Sequence, residues 1–202
     1  MIIIGLTGPS GSGKTTLCDI AMNMGIESID ADKVYHALLI PPSPCLDEIV
    51  TAFGDNVLFS NGMLDRAALG KIVFGDESGE KLSALNRITH KYVKERFRDI
   101  IASLEAEGHR AVMVDAPTLF ESGFDAECTF TVAMLADGAL RRERIISRDA
   151  LSEERADLRL AAQKPDEFFT SRADYTLYNN GDKDSLTRAF HDILKHGGFD
   201  EN

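Results

Sequence analysis

The 202-residue chain has no tryptophan, three cysteines and six prolines. Cys18, Cys45 and Cys128 lie far apart, no two of them have metal-ligand spacing, and an odd count argues against a disulfide framework. Each reads as a small buried residue, which suits a reducing compartment. His36, His90, His109, His191 and His196 likewise show no metal spacing. Positive charge is scarce: 22 Lys and Arg stand against 33 Asp and Glu, for a net charge of −11. A nucleic-acid-binding protein presents a basic face, so this balance argues against that class. No apolar run is long enough to span a membrane. The apolar opening, Ile2-Ile3-Ile4-Gly5-Leu6, has no charged segment before it and is broken by Gly5 and Gly8. We read it as a strand rather than a signal peptide, and expect a cytoplasmic protein. A hydrophobic content of 44% with 27% charge is that of an ordinary globular domain. The length suffices for one well-buried core.

What the chain does have is Gly8-Pro9-Ser10-Gly11-Ser12-Gly13-Lys14-Thr15, a phosphate-binding loop set between that strand and a helical pattern from Gly13 to about Met24. The residue types follow from the chemistry. Glycines let backbone N–H groups turn inward around a phosphate. The helix that follows adds its positive end and its unpaired N–H groups. Lys14 supplies a mobile cation for β- and γ-phosphates, and the Thr15 hydroxyl can ligate Mg²⁺. The pattern arises by chance in roughly one chain of this length in a hundred. The strand before it and the helix after it are the context it requires.

The rest of the chain alternates strands with helices. Short strands are expected at Ile26–Ile29, Ala111–Val114, Cys128–Leu135 and Asp174–Tyr178. A helix through Val34 and Leu39 is broken by Pro41-Pro42-Ser43-Pro44. A second runs from about Leu46 to Phe53, and a short one is capped by Asp65. Apolar residues from Leu82 to Leu104 fall three or four apart, predicting a long helix from Ser78 to about Glu107. Helices are also expected over Gly138–Asp149, Ser152–Gln163 and about Lys183–Lys195, with Phe199–Asn202 a frayed tail. This pattern predicts an α/β fold, a parallel sheet covered on both faces. We read residues 1–202 as one domain, with helices inserted between the second and third strands and a helical arm between the fourth and fifth.

Ligands of such sheets sit at the carboxyl ends of the strands, where three polar clusters fall. Asp30-Ala31-Asp32 can offer a carboxylate to orient an attacking hydroxyl, or can cap a helix; spacing alone leaves both open. Asp115, after four apolar residues, has the position of an acid on or near Mg²⁺. Asn179-Asn180-Gly181 is a turn that can present amides to a base. Arg141, Arg144 and Arg148 recur at helical spacing, beside Arg142, Arg155 and Arg159. They form either a solvated face paired with Glu143, Asp149, Glu153, Glu154 and Asp157, or a lid whose arginines close over a triphosphate. The loop favours the lid for Arg144 and Arg148, leaving Arg142, Arg155 and Arg159 to the surface.

Taken with the loop, several segments together resemble the dephospho-CoA kinases. They are Ile29-Asp30-Ala31-Asp32, Phe53-Gly54, Gly62-Met63-Leu64-Asp65-Arg66, Val73-Phe74 and Ile88-Thr89-His90. To these are added Asp115-Ala116-Pro117-Thr118-Leu119-Phe120-Glu121, Arg144 to Asp149, Gln163, Ala173-Asp174-Tyr175 and Asn179-Asn180-Gly181. The resemblance covers nearly the whole chain in order. It implies a P-loop kinase, nucleoside-monophosphate-kinase-like, with a five-stranded parallel sheet, a helical substrate-binding insertion at about 33–108 and a lid at about 138–165. It implies transfer of the γ-phosphoryl of ATP, with Mg²⁺, to the 3′-hydroxyl of dephospho-coenzyme A. Asp32 would activate that hydroxyl, and Arg66 and His90 would lie on the acceptor side. Lys14, Arg144 and Arg148 would act on the transferring group. ATP would be held by Gly11, Ser12, Gly13, Lys14, Thr15, Thr16 and Asn179, and the metal by Thr15 and Asp115. The chain departs from the family's usual residues at Pro9-Ser10, Lys91, Thr118 and Arg141; none of these removes a group that the mechanism needs.

Three other functions fit a P-loop. A nucleoside or nucleoside-monophosphate kinase fits the loop's spelling, but not Asp-Ala-Asp or the C-terminal motifs. A regulatory GTPase needs D-x-x-G after the third strand and N-K-x-D for guanine. Here Thr118 follows Asp115 by three, and Gly181-Asp182-Lys183-Asp184 lacks the asparagine. A transport ATPase needs Leu-Ser-Gly-Gly, which is absent.

Overall fold

A computed structural model describes residues Met1–Phe199. The chain divides into two compact units, one of Met1–Ile29 with Leu104–Asn202, the other of Asp30–Ser103.

The first unit holds a five-stranded parallel sheet in the order β2-β3-β1-β4-β5. Its strands are β1 (Ile2–Thr7), β2 (Glu27–Asp30), β3 (Ala111–Asp115), β4 (Phe130–Leu135) and β5 (Tyr175–Tyr178). β1 is central, pairing with β3 (Leu6 opposite Asp115) and with β4 (Leu6 opposite Val132). The chain runs to one side of β1 through β2 and β3 and to the other through β4 and β5, so the switch point of the sheet lies beside the end of β1. Alternation along the strands sorts side chains to two faces. Ile4 and Leu6 of β1, Met113 of β3, and Val132 and Met134 of β4 share one core with α1 (Lys14–Asn23). Leu17, Ile20 and Ala21 of that helix, at i, i+3 and i+4, lie on its buried face. Ala133 and Leu135 of β4 face the other way. Each fully buried Leu or Ile contributes roughly 1.5–3 kcal/mol by leaving water.

The second unit is helical. It contains α2 (Ala31–Leu38), α3 (Pro44–Phe53), α4 (Arg66–Phe74) and most of α5 (Glu80–Ala106). The starts of the first three are chemically marked. Asp30 caps α2 by accepting from Lys33 N at 3.0 Å, Ser43 caps α3 before Pro44, and Asp65 caps α4 by accepting from Ala67 and Ala68 N. Leu46, Ile49, Val57, Leu69, Val73 and Ile88 form its core. Lys91, one of the departures from the family pattern, is an anchor here: its ammonium meets Glu48 at 2.9 Å, and Tyr92 OH donates to the same oxygen at 2.8 Å.

The remaining helices belong to the first unit: α6 (Leu119–Ser122), α7 (Gly138–Asp149), α8 (Glu153–Ala161), α9 (Asp166–Thr170) and α10 (Lys183–His196). Phe169 of α9 covers Ala133 and Leu135. Leu186, Phe190, Ile193 and Leu194 of α10 close the opposite core. One expectation needs correcting at the end of the chain. Phe199 is not part of a frayed tail; it is buried in that core, with the Arg110 guanidinium 5.6 Å over its ring. Asp200–Asn202 lie outside the described residues.

Burial pushes the Cys45 thiol up to about 11 and the Cys128 thiol up to about 12, from 9.0. Both groups stay neutral at physiological pH. Because the folded values are raised, their contribution to stability is intact below pH 9 and is lost as the pH climbs through 11 to 12. Folded protein at pH 8 should therefore react slowly with Ellman's reagent, releasing all three thiols only on denaturation. Rapid native labelling of Cys45 would contradict its burial.

Candidate active site

The turn after β1 is shaped by close approach. Gly8, at φ +137°, and Gly13, at φ +99°, both adopt backbone angles that L side chains avoid. A Cβ on Gly8 would collide with the Met134 carbonyl oxygen, and one on Gly13 with the Asn179 amide. The loop is thus pressed between β4 and the turn after β5, and nothing larger than glycine fits. Gly13 begins α1 with no side-chain cap, and the first turn of α1 holds no acidic residue. A helix start of this kind offers its leading N–H groups to an anion. The Ser12 hydroxyl is buried with no hydrogen-bond partner among the described residues, a group that a bound polar ligand would satisfy.

Around this cradle stand most of the expected groups. Lys14 Nζ donates to Gly8 O at 2.9 Å, folding back over the loop. Thr15 is exposed and Thr16 half-buried on the first turn of α1. Asp115 ends β3, level with Leu6 on β1, with its Oδ1 buried; Ala116 N donates to Leu6 O at 2.9 Å, tying the two strand ends together. Asn179 is buried: Nδ2 donates to Ser12 O at 2.9 Å, and its N–H donates to Leu135 O. Arg144 Nη2 donates to Asn179 O at 2.9 Å and Nη1 to Gly11 O at 3.2 Å, so this arginine rests on the rim of the loop. Arg148 Nη2 reaches Ser10 Oγ at 3.3 Å while its guanidinium pairs with Asp149, which also accepts from Arg159 at 2.6 Å. The Asp149 hydrogen bond raises the Arg148 pKa, and the same bond lowers that of Asp149.

The arginine stretch is therefore neither one solvated face nor one lid surface. Arg142 does pair outward, with Asp157 at 2.6 Å and Glu153 at 2.8 Å. Arg144 and Arg148 touch the loop. Arg141, which sequence reasoning gave no role, is buried and bonds Ser10, Gln163 and Asp166. Gln163 in turn accepts from Ser10 N at 2.8 Å. No local signal marks that pair, because the two residues are 22 apart and belong to different segments.

The remaining expected residues lie on the second unit. Asp32 is exposed in the first turn of α2, and His36 follows one turn later on the same face. Arg66, the first residue of α4, places Nη1 3.0 Å from His36 Nε2. His90 is half-buried on α5. Thr118, another departure, is the exposed N-cap residue of α6.

A P-loop of this geometry belongs to many enzymes; comparison with known proteins narrows it. The family model for dephospho-CoA kinase matches residues 2–185. The chain belongs to the dephospho-CoA kinase family. A relative from Shouchella clausii, a dephospho-CoA kinase, is 37% identical over 95% of this chain and 96% of its own. Among solved structures, TT1252 from Thermus thermophilus is 32% identical with a TM-score of 0.79, covering 96% of this chain and 97% of that one. The dephospho-CoA kinase from Campylobacter jejuni is 28% identical with a TM-score of 0.66, covering 96% of each. Family membership favours this kinase over the nucleoside kinase and GTPase readings. It is also in keeping with the chain-wide order of motifs, from the loop through Asp-Ala-Asp to Asn-Asn-Gly.

For Mg²⁺ the fit is that of a shared site. Among the described residues no group of three His, Cys, Asp or Glu can hold a metal alone. Mg²⁺ keeps several waters and takes one or two protein oxygens together with phosphates. The Thr15 hydroxyl and the Asp115 carboxylate are donors of that kind. Among the described residues no helix is long and apolar enough to cross a membrane.

Proposed function

We propose that this protein transfers the γ-phosphoryl group of ATP to the 3′-hydroxyl of dephospho-coenzyme A, giving coenzyme A and ADP, in the cytoplasm. The observation that carries the reading is the cradle at the start of α1: close-packed positions that only glycine fits, a helix start without a side-chain cap and Lys14 folded over it. It suits the phosphates of a nucleotide, and family membership supplies the acceptor. Residues 1–202 act as one kinase domain, with the acceptor-binding insertion at about 33–108 and the lid at about 138–165.

The groups divide by task. Gly11, Ser12, Gly13, Lys14, Thr15 and Thr16 surround the phosphates, Ser12 through its hydroxyl because its N–H donates to Pro9 O at 3.3 Å, and Asn179 borders the base. Lys14, Arg144 and Arg148 stabilise charge on the transferring group. Thr15 and Asp115 would hold Mg²⁺, which when bound neutralises charge on the phosphate oxygens. Asp32 orients the hydroxyl and takes its proton, while Arg66 and His90 bind the acceptor. In a largely dissociative transfer, positioning and charge carry most of the catalysis, and these residues supply both.

The test is ADP release from ATP and Mg²⁺ on adding dephospho-CoA, compared with AMP, CMP and uridine, with the product identified by mass. Dephospho-CoA should be the favoured acceptor and coenzyme A the product. Faster turnover with AMP or uridine would move the protein to the nucleoside kinase reading.

A further inference from the structure

Ser10 has both of its backbone polar groups taken by side chains from the arm. Its N–H donates to Gln163 Oε1 at 2.8 Å, and its carbonyl accepts from Arg141 Nε at 3.2 Å. Arg141 Nη2 donates to the same Gln163 Oε1 at 2.8 Å, which closes a ring of three residues. The third edge of the guanidinium faces Asp166 Oδ1 at 3.3 Å. Gln163 Nε2 donates to Arg159 O at 3.1 Å, which fixes the amide with its oxygen toward Ser10. The Arg141 side chain is only 10% exposed. A buried guanidinium is tolerated only with such complete pairing.

The consequence lies in peptide geometry. The Ser10 carbonyl and the Gly11 N–H belong to one planar trans unit, so they point in opposite directions. Drawing the carbonyl toward Arg141 turns the Gly11 N–H away from the arm. Gly11 has φ +81° and no side chain to resist rotation of that peptide, so the loop's own sequence does not hold it. The backbone of Arg141 adds a wall: a Cβ on Gly11 would lie 2.7 Å from the Arg141 carbonyl oxygen.

We propose that Arg141 is a positioning residue for the ATP phosphates. Acting through Ser10 and Gln163, it fixes the Ser10–Gly11 peptide with its N–H toward the phosphate side. It makes the first turn of α7 part of the phosphate site without touching nucleotide. This rests on the reading of the loop as an ATP site, and the experiment separates the two.

Arg141→Met keeps length and bulk but loses all three donor edges; Gln163→Met severs both the Ser10 N–H and the Arg141 legs. Binding of a non-hydrolysable ATP analogue, measured by calorimetry, and steady-state kinetics are compared with the wild type. Each variant should weaken nucleotide binding and raise KM for ATP by about tenfold, the scale of one charge-assisted hydrogen bond. kcat should change by less than about threefold and KM for dephospho-CoA should not move. The double variant should be no worse than the weaker single one, because the residues act as one unit. If Arg141→Met fails to fold, Gln163→Met, on a half-exposed residue, carries the test alone. Wild-type protein that binds no nucleotide would sink the loop reading and this one together. Wild-type binding with unchanged KM for ATP in the variants, and only a lower melting temperature, would overturn this inference alone. So would effects that add in the double variant.

Discussion

Lys14→Ala will yield a folded protein with almost no turnover. In the structure the ammonium makes a half-buried contact with Gly8 O at 2.9 Å. Losing one such bond costs about 1 kcal/mol net, which lowers the melting temperature by about 2–4 °C in a domain of this size. The kinetic loss is of another order. Lys14 is a cation at the start of α1, in a chain of net charge −11, so no general positive field can replace it. Removing a charge aimed at the transferring phosphoryl group costs on the order of 10³ or more in turnover. Measuring ADP release and thermal melting on the same preparation separates the effects. Turnover within tenfold of wild type would remove Lys14 from the phosphate site.

The acidic composition and the phosphate chemistry are reconciled by placement. Arg141, Arg144 and Arg148 come from one stretch of α7 and reach Ser10, Gly11 and Asn179. Guanidinium groups are thus gathered at the loop although the whole chain is acidic. The negative partners stand behind it: Asp149 on Arg148 and Arg159, Asp157 and Glu153 on Arg142. Exposed pairs of that kind stabilise little individually.

The parts legible in the sequence were those written in consecutive residues. The P-loop is a local object, and the strand-turn-helix context could be read directly from Ile2–Asn23. The cap at Asp65 followed from residue type and from the helical pattern after it, while at Asp30-Ala31-Asp32 spacing left cap and catalytic carboxylate open, and the structure makes Asp30 the cap. What could not be read depended on distant partners. The short helices α6 and α9 carry too few turns for periodicity to register. The strand expected from Cys128 begins only at Phe130, because Asp125–Glu127 forms a 3₁₀ turn that Cys128 ends. Phe199 resembled a tail because Gly197-Gly198 ends a helix, yet the next residue turns back into the core. Arg141 resembled its charged neighbours, and only the chain's return at Gln163 and Asp166 buries it. The proposed roles of Arg66 and His90 rest on family resemblance alone, since no spacing rule links them to Asp32, which the strand-end pattern had already offered as a carboxylate for a hydroxyl.

The two carboxylates of Asp30-Ala31-Asp32 should part company when each is changed. Asp30 is occupied: it caps α2 through Lys33 N and pairs with Lys33 Nζ at 3.4 Å. Asp30→Ala removes the cap and should cost about 0.5–2 kcal/mol of stability, with kcat little altered. Asp32 is different. Its carboxylate is exposed in the first turn of α2 and makes no hydrogen bond or ion pair with the other described residues. It gains at most about 0.3–1 kcal/mol from the helix dipole. A charged group that does so little for the fold is available for substrate. In a dissociative transfer the acceptor hydroxyl loses its proton late, so the role proposed for the carboxylate is chiefly to orient that hydroxyl and receive the proton afterwards. Asp32→Asn keeps the shape and an acceptor oxygen but gives up the charge and the proton site. We expect kcat to fall by roughly 10²–10⁴, with nucleotide binding and melting temperature close to wild type. Activity, nucleotide affinity and thermal melting measured on both variants decide the matter. An inactive Asp30→Ala beside an active Asp32→Asn would reverse the assignment and make the capping carboxylate the catalytic one.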